Sequence, residues 1–157
     1  MTKTRSLHRD DLPELVDMIG GLAAHHDDTA HINVEHLVRD TCGPSPWFTV
    51  IVAQGPARIL QGYAAMTRIG QLQFGVRGMD IHHLFVRSDV RGTGVGRALV
   101  NACVSNAKKQ ACGYVSVGTH PDNHDAGAFY ETLGFIRRPG AASRFSMRLE
   151  GAAYPPT

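Results

Sequence analysis

The stretch from Met79 to Gln110 constrains the fold more than any other part of the chain. Met79 to Val86 reads as a strand, Ser88 to Gly94 as a polar, glycine-rich turn, and about Val95 to Gln110 as a helix. Val95, Leu99, Ala102, Cys103 and Asn106 fall on one face of that helix, while Ala98 and Ala107 suit close packing. A strand that passes through a tight turn into an amphipathic helix needs a sheet for the helix to cover. The architecture is therefore a layered α/β domain.

Upstream, Thr2 to Leu7 is expected to form a short strand. Asp10 and Asp11 offer an N-cap, Pro13 suits a first helical turn, and Leu12, Leu15, Val16, Ile19, Leu22 and Ala23 recur at helical spacing to about His25. Asn33 caps a shorter helix carrying Val34, Leu37 and Val38, and Cys42-Gly43-Pro44-Ser45-Pro46 stops it. Phe48 to Ala53 reads as a strand, Gly55-Pro56-Ala57 as a turn, and Ile59 to Ile69 as its hairpin partner. Gly70 to Gly78 is expected to be a loose connection. Beyond the central helix, Tyr114 to Thr119 is a strand and Asp125 to Leu133 a short helix closed by Gly134. Phe135-Ile136 and Ser143 to Glu150 are expected to supply two last strands, and Gly151 to Thr157 a loose tail. The order βααβββαβαβ gives one domain over residues 1–150, consistent with a 157-residue chain at roughly 150 residues per domain.

Composition narrows the function classes. The 43% apolar and 19% charged content is that of a globular chain rather than a disordered one. Sixteen Lys and Arg against fourteen Asp and Glu leave a net charge of +2, too mild to signal nucleic-acid binding. No apolar stretch approaches the roughly 20 residues needed to cross a bilayer, and no signal peptide follows Met1, so the cytoplasm is the expected location. Cys42, Cys103 and Cys112 form an odd set without CxxC spacing, which reads as reduced thiols. Nine histidines raise the question of a metal, but no HExxH occurs, and Pro121 interrupts the His120–His124 pair, so no metal site is expected.

The most specific chemistry lies in Arg91-Gly92-Thr93-Gly94-Val95-Gly96. Glycines there let the backbone approach a ligand, and the N–H groups at the following helix start favour an anion such as a pyrophosphate. A P-loop is excluded because GxxxxGK[ST] is absent. A dinucleotide fingerprint is disfavoured because the glycine register is wrong and the turn follows several strands rather than the first.

Val86 to Leu99 resembles the acyl-CoA motif of the GCN5-related N-acetyltransferase (GNAT) family, with Arg91, Gly94 and Gly96 at the motif positions. A second element similar to that family runs from Asn123 through Ala126 and Phe129-Tyr130-Glu131 to Leu133-Gly134-Phe135, at the expected separation. The resemblance implies the GNAT acyl-CoA N-acyltransferase fold, a mixed, mostly antiparallel sheet flanked by helices, and acetyl-CoA as acyl donor. It implies a V-shaped cleft between two central strands, with the backbone of Leu84, Phe85 and Val86 pairing with the pantetheine arm. Arg91, Gly92, Thr93, Gly94, Val95, Gly96 and Arg97 would hold the pyrophosphate. Asn123 would bond the cofactor or, equally, cap its helix, and Tyr130 would lie by the sulfur and protonate the leaving thiolate.

The family position four residues before the motif valine often carries a base, and His82 stands there. Plain strand alternation sets Asp80, His82, Leu84 and Val86 on one face and Ile81, His83 and Phe85 on the other, so His83 is expected to face away. Asp80 would orient His82, bind a cationic substrate or take a proton itself. The acceptor implied is a small or peptide amine, with Asp27, Asp28, Glu35, His25, His26, His31, Trp47 and Phe48 in the region expected to shape its pocket. Lys108, Lys109, Arg137 and Arg138 are candidates for an adenosine 3′-phosphate. Relatives that form homodimers make the strands after Phe135 a candidate interface. Two other outcomes keep the fold, a non-catalytic CoA sensor and an acetyltransferase for protein N-termini.

Overall fold

In a computed structural model, residues 2–119, 122–138 and 144–150 are described. The chain forms two compact units, Met1–Asp122 and Asn123–Thr157. The first carries β1 (Lys3–Ser6), α1 (Leu12–His25), α2 (Val34–Thr41), β2 (Thr49–Gln54), β3 (Leu60–Gln71), β4 (Val76–Val86), α3 (Val95–Lys109) and β5 (Tyr114–Val117). Its sheet has the order β1-β2-β3-β4-β5, antiparallel throughout except for the parallel β4–β5 pair.

Alternation along β2 and β3 builds two cores. Val50, Val52, Leu60, Tyr63 and Ala65 pack with Leu12, Leu15 and Met18 of α1 and Leu37 of α2. Ile51, Ala64, Met66, Met79 and Ile81 are buried too, and α3 contributes Val95, Leu99, Val100, Cys103 and Ala107 to the buried set. A sheet covered on both faces can carry apolar residues at consecutive positions.

Three expectations are corrected. Residues 70–78 are not a loose connection: β3 runs to Gln71, a short 3-10 turn spans Leu72–Phe74, and Gly75 at φ 62° returns the chain into β4. Gly78, which reads as a breaker, is a strand residue lying so close under the Tyr114 ring that no Cβ fits. Asp11 does not cap α1 through its side chain; its carboxylate accepts from Arg5 Nη1 (2.7 Å), Arg5 Nη2 (3.0 Å) and the His8 N–H (2.7 Å). Finally, Phe135-Ile136 and residues 144–150 form no strand among the described residues. His120, Pro121, Ser143 and the tail Gly151 to Thr157 lie outside the described residues. By contrast, Asn33 caps α2 as expected, accepting from the His36 N–H at 2.9 Å.

The second unit holds α4 (His124–Thr132). Asn123 Oδ1 accepts from the Ala126 N–H at 3.2 Å, the capping alternative. Gly134 at φ 95° ends the helix, and the Phe135 N–H returns to the Tyr130 carbonyl at 3.1 Å. Arg137 pairs with Glu131 at 2.8 Å, and its guanidinium lies over Gly127.

Candidate active site

Two local events in β4 shape the site, and both occur around Ile81 and His82. Pairing with β5 covers only Gly78–Ile81, so from His82 to Val86 that edge of β4 has no partner strand among the described residues. At the same level the β3–β4 register slips: Ala65 opposes His83 while Met66 opposes Ile81, leaving His82 as the extra residue of a β-bulge.

The bulge overturns the expected alternation. His83 does not face away from His82. Their rings stack at 4.4 Å between centroids, with planes 13° apart. Phe85 joins the α1 core with Tyr63, so it too lies on the His82 face, and Leu84 and Val86 pass to the opposite one. His82 is exposed, with the Phe48 ring 5.3 Å away. His83 is half-buried, and its Nδ1 lies 3.0 Å from Tyr63 Oη. Burial first, then the charges of His82 and His26, push the His83 imidazole down to about 4, so the ring is neutral at neutral pH. Burial pushes the Tyr63 phenol up.

Asp80 does not hold His82. Its Oδ1 accepts from Ser116 Oγ at 2.6 Å, across the β4–β5 pair. The structure thus assembles Phe48, Tyr63, His82 and His83, of which Tyr63 was missed by sequence reasoning and His83 was set on the wrong face. Met79 and Ile81 are buried on one face of β4 and Phe85 on the other, so its apolar residues alone do not mark a change of phase.

Beyond Val86 the chain turns through a 3-10 segment, Ser88–Val90, into the glycine-rich loop. Gly92 (φ 76°) and Gly94 (φ 94°) hold left-handed conformations and face open space. Arg91 Nε donates to the Val86 carbonyl at 3.0 Å, and Thr93 Oγ1 to the Val90 carbonyl at 2.5 Å. These bonds tie the loop to the end of β4. The first helical bond of α3 runs from the Ala98 N–H to the Gly94 carbonyl. Among the described residues, no carbonyl outside the helix takes an N–H from Gly92 to Arg97, and no acid stands in the first turn of α3. The loop therefore offers backbone donors, a helix N-terminus whose first turn carries no acid, and the cations Arg91 and Arg97, an arrangement that fits a pyrophosphate.

Lys108 and Lys109 close α3 at its other end, about 20 Å of helix from this loop, where they suit the carbonyl end of the dipole. Trp47, 78% exposed, lines an open cavity of about 470 Å³ with Ser45, Pro46, Thr49, Met66, Thr67 and Arg68. His25 and His26 meet edge to face at 5.4 Å at the end of α1. In the second unit, the Tyr130 ring lies 5.2 Å from Phe129 and 5.7 Å from Phe135. Cys103 is buried, which pushes its thiol up to about 12. Among the described residues no group of three His, Cys, Asp or Glu could hold a metal ion, and no helix is long and apolar enough to cross a membrane.

Comparison with known proteins bears on this arrangement. The model of a family described as Acetyltransferase (GNAT) family matches residues 11–135. An uncharacterized N-acetyltransferase of Methanocaldococcus jannaschii is 41% identical over 56 residues, 36% of this chain, and the match spans a quarter of that relative's length. Among solved structures, an aminoglycoside acetyltransferase from an uncultured soil metagenomic sample, in complex with sisomicin, superposes with a TM-score of 0.78. It shares 18% identity over 94% of this chain and 97% of its own. A ribosomal-protein-alanine N-acetyltransferase of Brucella melitensis biovar Abortus 2308 reaches 0.72 at 19% identity, over 95% and 99% of the two chains. A transcriptional regulator of Bacillus halodurans C-125 reaches 0.74 at 23% identity, over 92% and 100%. These likenesses establish a shared fold.

Proposed function

The chain belongs to the acetyltransferase (GNAT) family, and we propose that it moves an acetyl group from acetyl-CoA to a primary amine by direct attack in a ternary complex. The observation that carries this reading is the coincidence at the end of β4. There an unpaired strand edge, an exposed imidazole and a glycine-rich anion-binding loop follow one another within a few residues. The backbone of Leu84, Phe85 and Val86 serves the pantetheine amides, as an added strand would. Arg91 to Arg97 hold the pyrophosphate through N–H groups and charge. When bound, acetyl-CoA supplies an activated acyl carbon and a thiolate leaving group.

The protein's own part is proton management. His82 takes a proton from the acceptor ammonium, directly or through water, so that the nitrogen lone pair is free to attack. The Tyr130 hydroxyl gives its proton to the departing thiolate and is restored by the second proton that the nitrogen sheds as the tetrahedral intermediate collapses, so the products are an amide and free CoA thiol. Asp80, fixed by Ser116, offers a carboxylate to a cationic acceptor rather than an orienting bond to His82. Asn123 serves the cofactor only with the donor groups that capping leaves spare. The two enzymes named above differ in acceptor, an aminoglycoside in one and a ribosomal-protein alanine in the other, so the acceptor is stated as a primary amine.

The test is thermal unfolding with acetyl-CoA, CoA, ATP and NAD. A ligand at about 100 times its Kd adds roughly 2.7 kcal/mol, worth about 5–11 °C for a domain of this size. A rise with acetyl-CoA and CoA alone is expected, followed by thiol release on adding an amine. Equal rises with ATP or NAD, or none with CoA, would overturn the reading.

A further inference from the structure

We infer that Tyr63 and His83 are positioning residues for His82: the buried Tyr63 hydroxyl fixes the His83 ring, and the face of that ring fixes His82 where an acceptor amine would meet it. The inference rests on the reading of His82 as the proton acceptor and assigns work to two residues which that chemistry does not touch.

A buried phenol must place its proton. Tyr63 is only 1% exposed, and the acceptor within reach of its hydroxyl is His83 Nδ1, at 3.0 Å. Donation by the phenol puts the imidazole proton on Nε2, so the bond selects one tautomer as well as one ring plane. Phe85, 6.1 Å from the Tyr63 ring, and the α1 core hold Tyr63 itself. His82 has the opposite surroundings. It is exposed, and its ring contacts are the Phe48 ring, tilted by 31°, and the flat face of His83. An exposed histidine samples several rotamers. Stacking on a ring that cannot turn leaves few of them, and the bulge is what brings the two rings together.

The titratable groups that bear on His83 are His82 on its own strand, Tyr63 from β3 and His26 at the C-cap of α1, and Asp80 shares its face while bonded to Ser116. Neutral, half-buried His83 adds no competing charge next to the base. A second titrating imidazole in its place would split the proton between two sites.

The experiment pairs acetyl transfer across pH with carbon-edited proton spectra of the histidine rings. His83→Ala removes the stack and should lower kcat by about tenfold to a hundredfold while the KM for acetyl-CoA stays within about twofold. The His82 ring proton should at the same time lose its ring-current shift. Tyr63→Phe should fall by a smaller factor and alter the pH profile, because His83 is freed to change tautomer. The double variant Tyr63→Phe with His83→Phe restores a flat ring with no orphaned polar atom, and should recover to within about threefold of wild type. Wild-type kcat and pH profile in His83→Ala would overturn the inference. So would a double variant as slow as His83→Ala, since His83 would then handle the proton itself. His82→Ala keeps the two readings apart: if it matches wild type, the base assignment falls and the positioning role with it, whereas impaired His82→Ala beside unimpaired His83→Ala refutes positioning alone.

Discussion

Gly62 is where the packing of the sheet and the stability of the site are most tightly joined. It pairs with Val86 at the end of β4, and a Cβ built there would stand inside 3.0 Å of the Phe85 carbonyl oxygen, 3.2 Å from Val86 Cα and 3.3 Å from Leu99 Cδ1. The first two are backbone atoms and Leu99 is fully buried, so none of the three can swing aside. Gly62→Ala must therefore push β3 and β4 apart at this end. Overpacking of this kind costs about 1–3 kcal/mol, and the entropy gained by losing a strand glycine returns about 0.5–1. Because the nearest clashes are with backbone, the upper part of that range applies, and about 2–3 less about 0.5–1 leaves a net loss of about 1–2.5 kcal/mol, a fall in Tm of about 2–10 °C for a chain of this length. The displaced strand end also carries the Val86 carbonyl that anchors Arg91. Acetyl-CoA should consequently raise the Tm of the variant by less than it raises that of the wild type. Scanning calorimetry of both proteins, with and without ligand, measures the two effects together. A variant melting within about 1 °C of wild type would refute the packing reasoning, because a shift that small is below the cost of any overpacked contact.

The neighbouring glycines of α1 should behave oppositely to each other. A Cβ at Gly20 meets nothing within 4 Å, and Gly20→Ala should stabilise by about 0.5–1 kcal/mol in urea unfolding; at Gly21 it meets Phe85 Cζ at 3.0 Å, and Gly21→Ala should destabilise. The His83 imidazole, ordinarily near 6.5 and about 4 when folded, binds its proton more readily in the unfolded chain. Its contribution to stability is complete above about pH 6.5 and is lost as pH falls toward 4, so denaturant midpoints of wild type should decline over that window more steeply than those of His83→Phe. Asp11 is held below the usual carboxylate range, chiefly by its hydrogen bond from Arg5; its contribution persists above its ordinary 3.8 and fades under it, and Asp11→Ala should cost about 1.5–3 kcal/mol at neutral pH by urea titration. Tyr130→Phe should lower turnover by about a hundredfold with little change in acetyl-CoA affinity; collapse of affinity with turnover intact would make Tyr130 a binding residue instead.

Where local chemistry decides a feature, the chain is readable. Asn33 caps α2, Gly134 ends α4, and Arg91 to Gly96 form an outward-facing loop between a strand and a helix, all from residue type and spacing. Features decided by tertiary pairing were not readable. Gly70 and Gly78 look like loop residues, yet Gly78 is a strand position selected by the Tyr114 ring above it. The bulge at His82 is not marked by the buried apolar residues of β4, because Met79 and Ile81 on one side and Phe85 on the other are equally apolar. Tyr63 reads as one more core aromatic until the slip in register brings His83 to its hydroxyl.

The same slip makes β4 tolerant of a change in length. Upstream of it Asp80 and Ile81 occupy opposite faces, and downstream Leu84 and Phe85 do so again, with the two histidines together between them. If either histidine is removed, simple alternation from Asp80 to Phe85 restores every remaining side chain to the face it already holds. A one-residue deletion elsewhere in a central strand inverts everything beyond it. Here it would only convert a paired imidazole into a single one, so the double-histidine strand and its shorter counterpart are connected by one viable step.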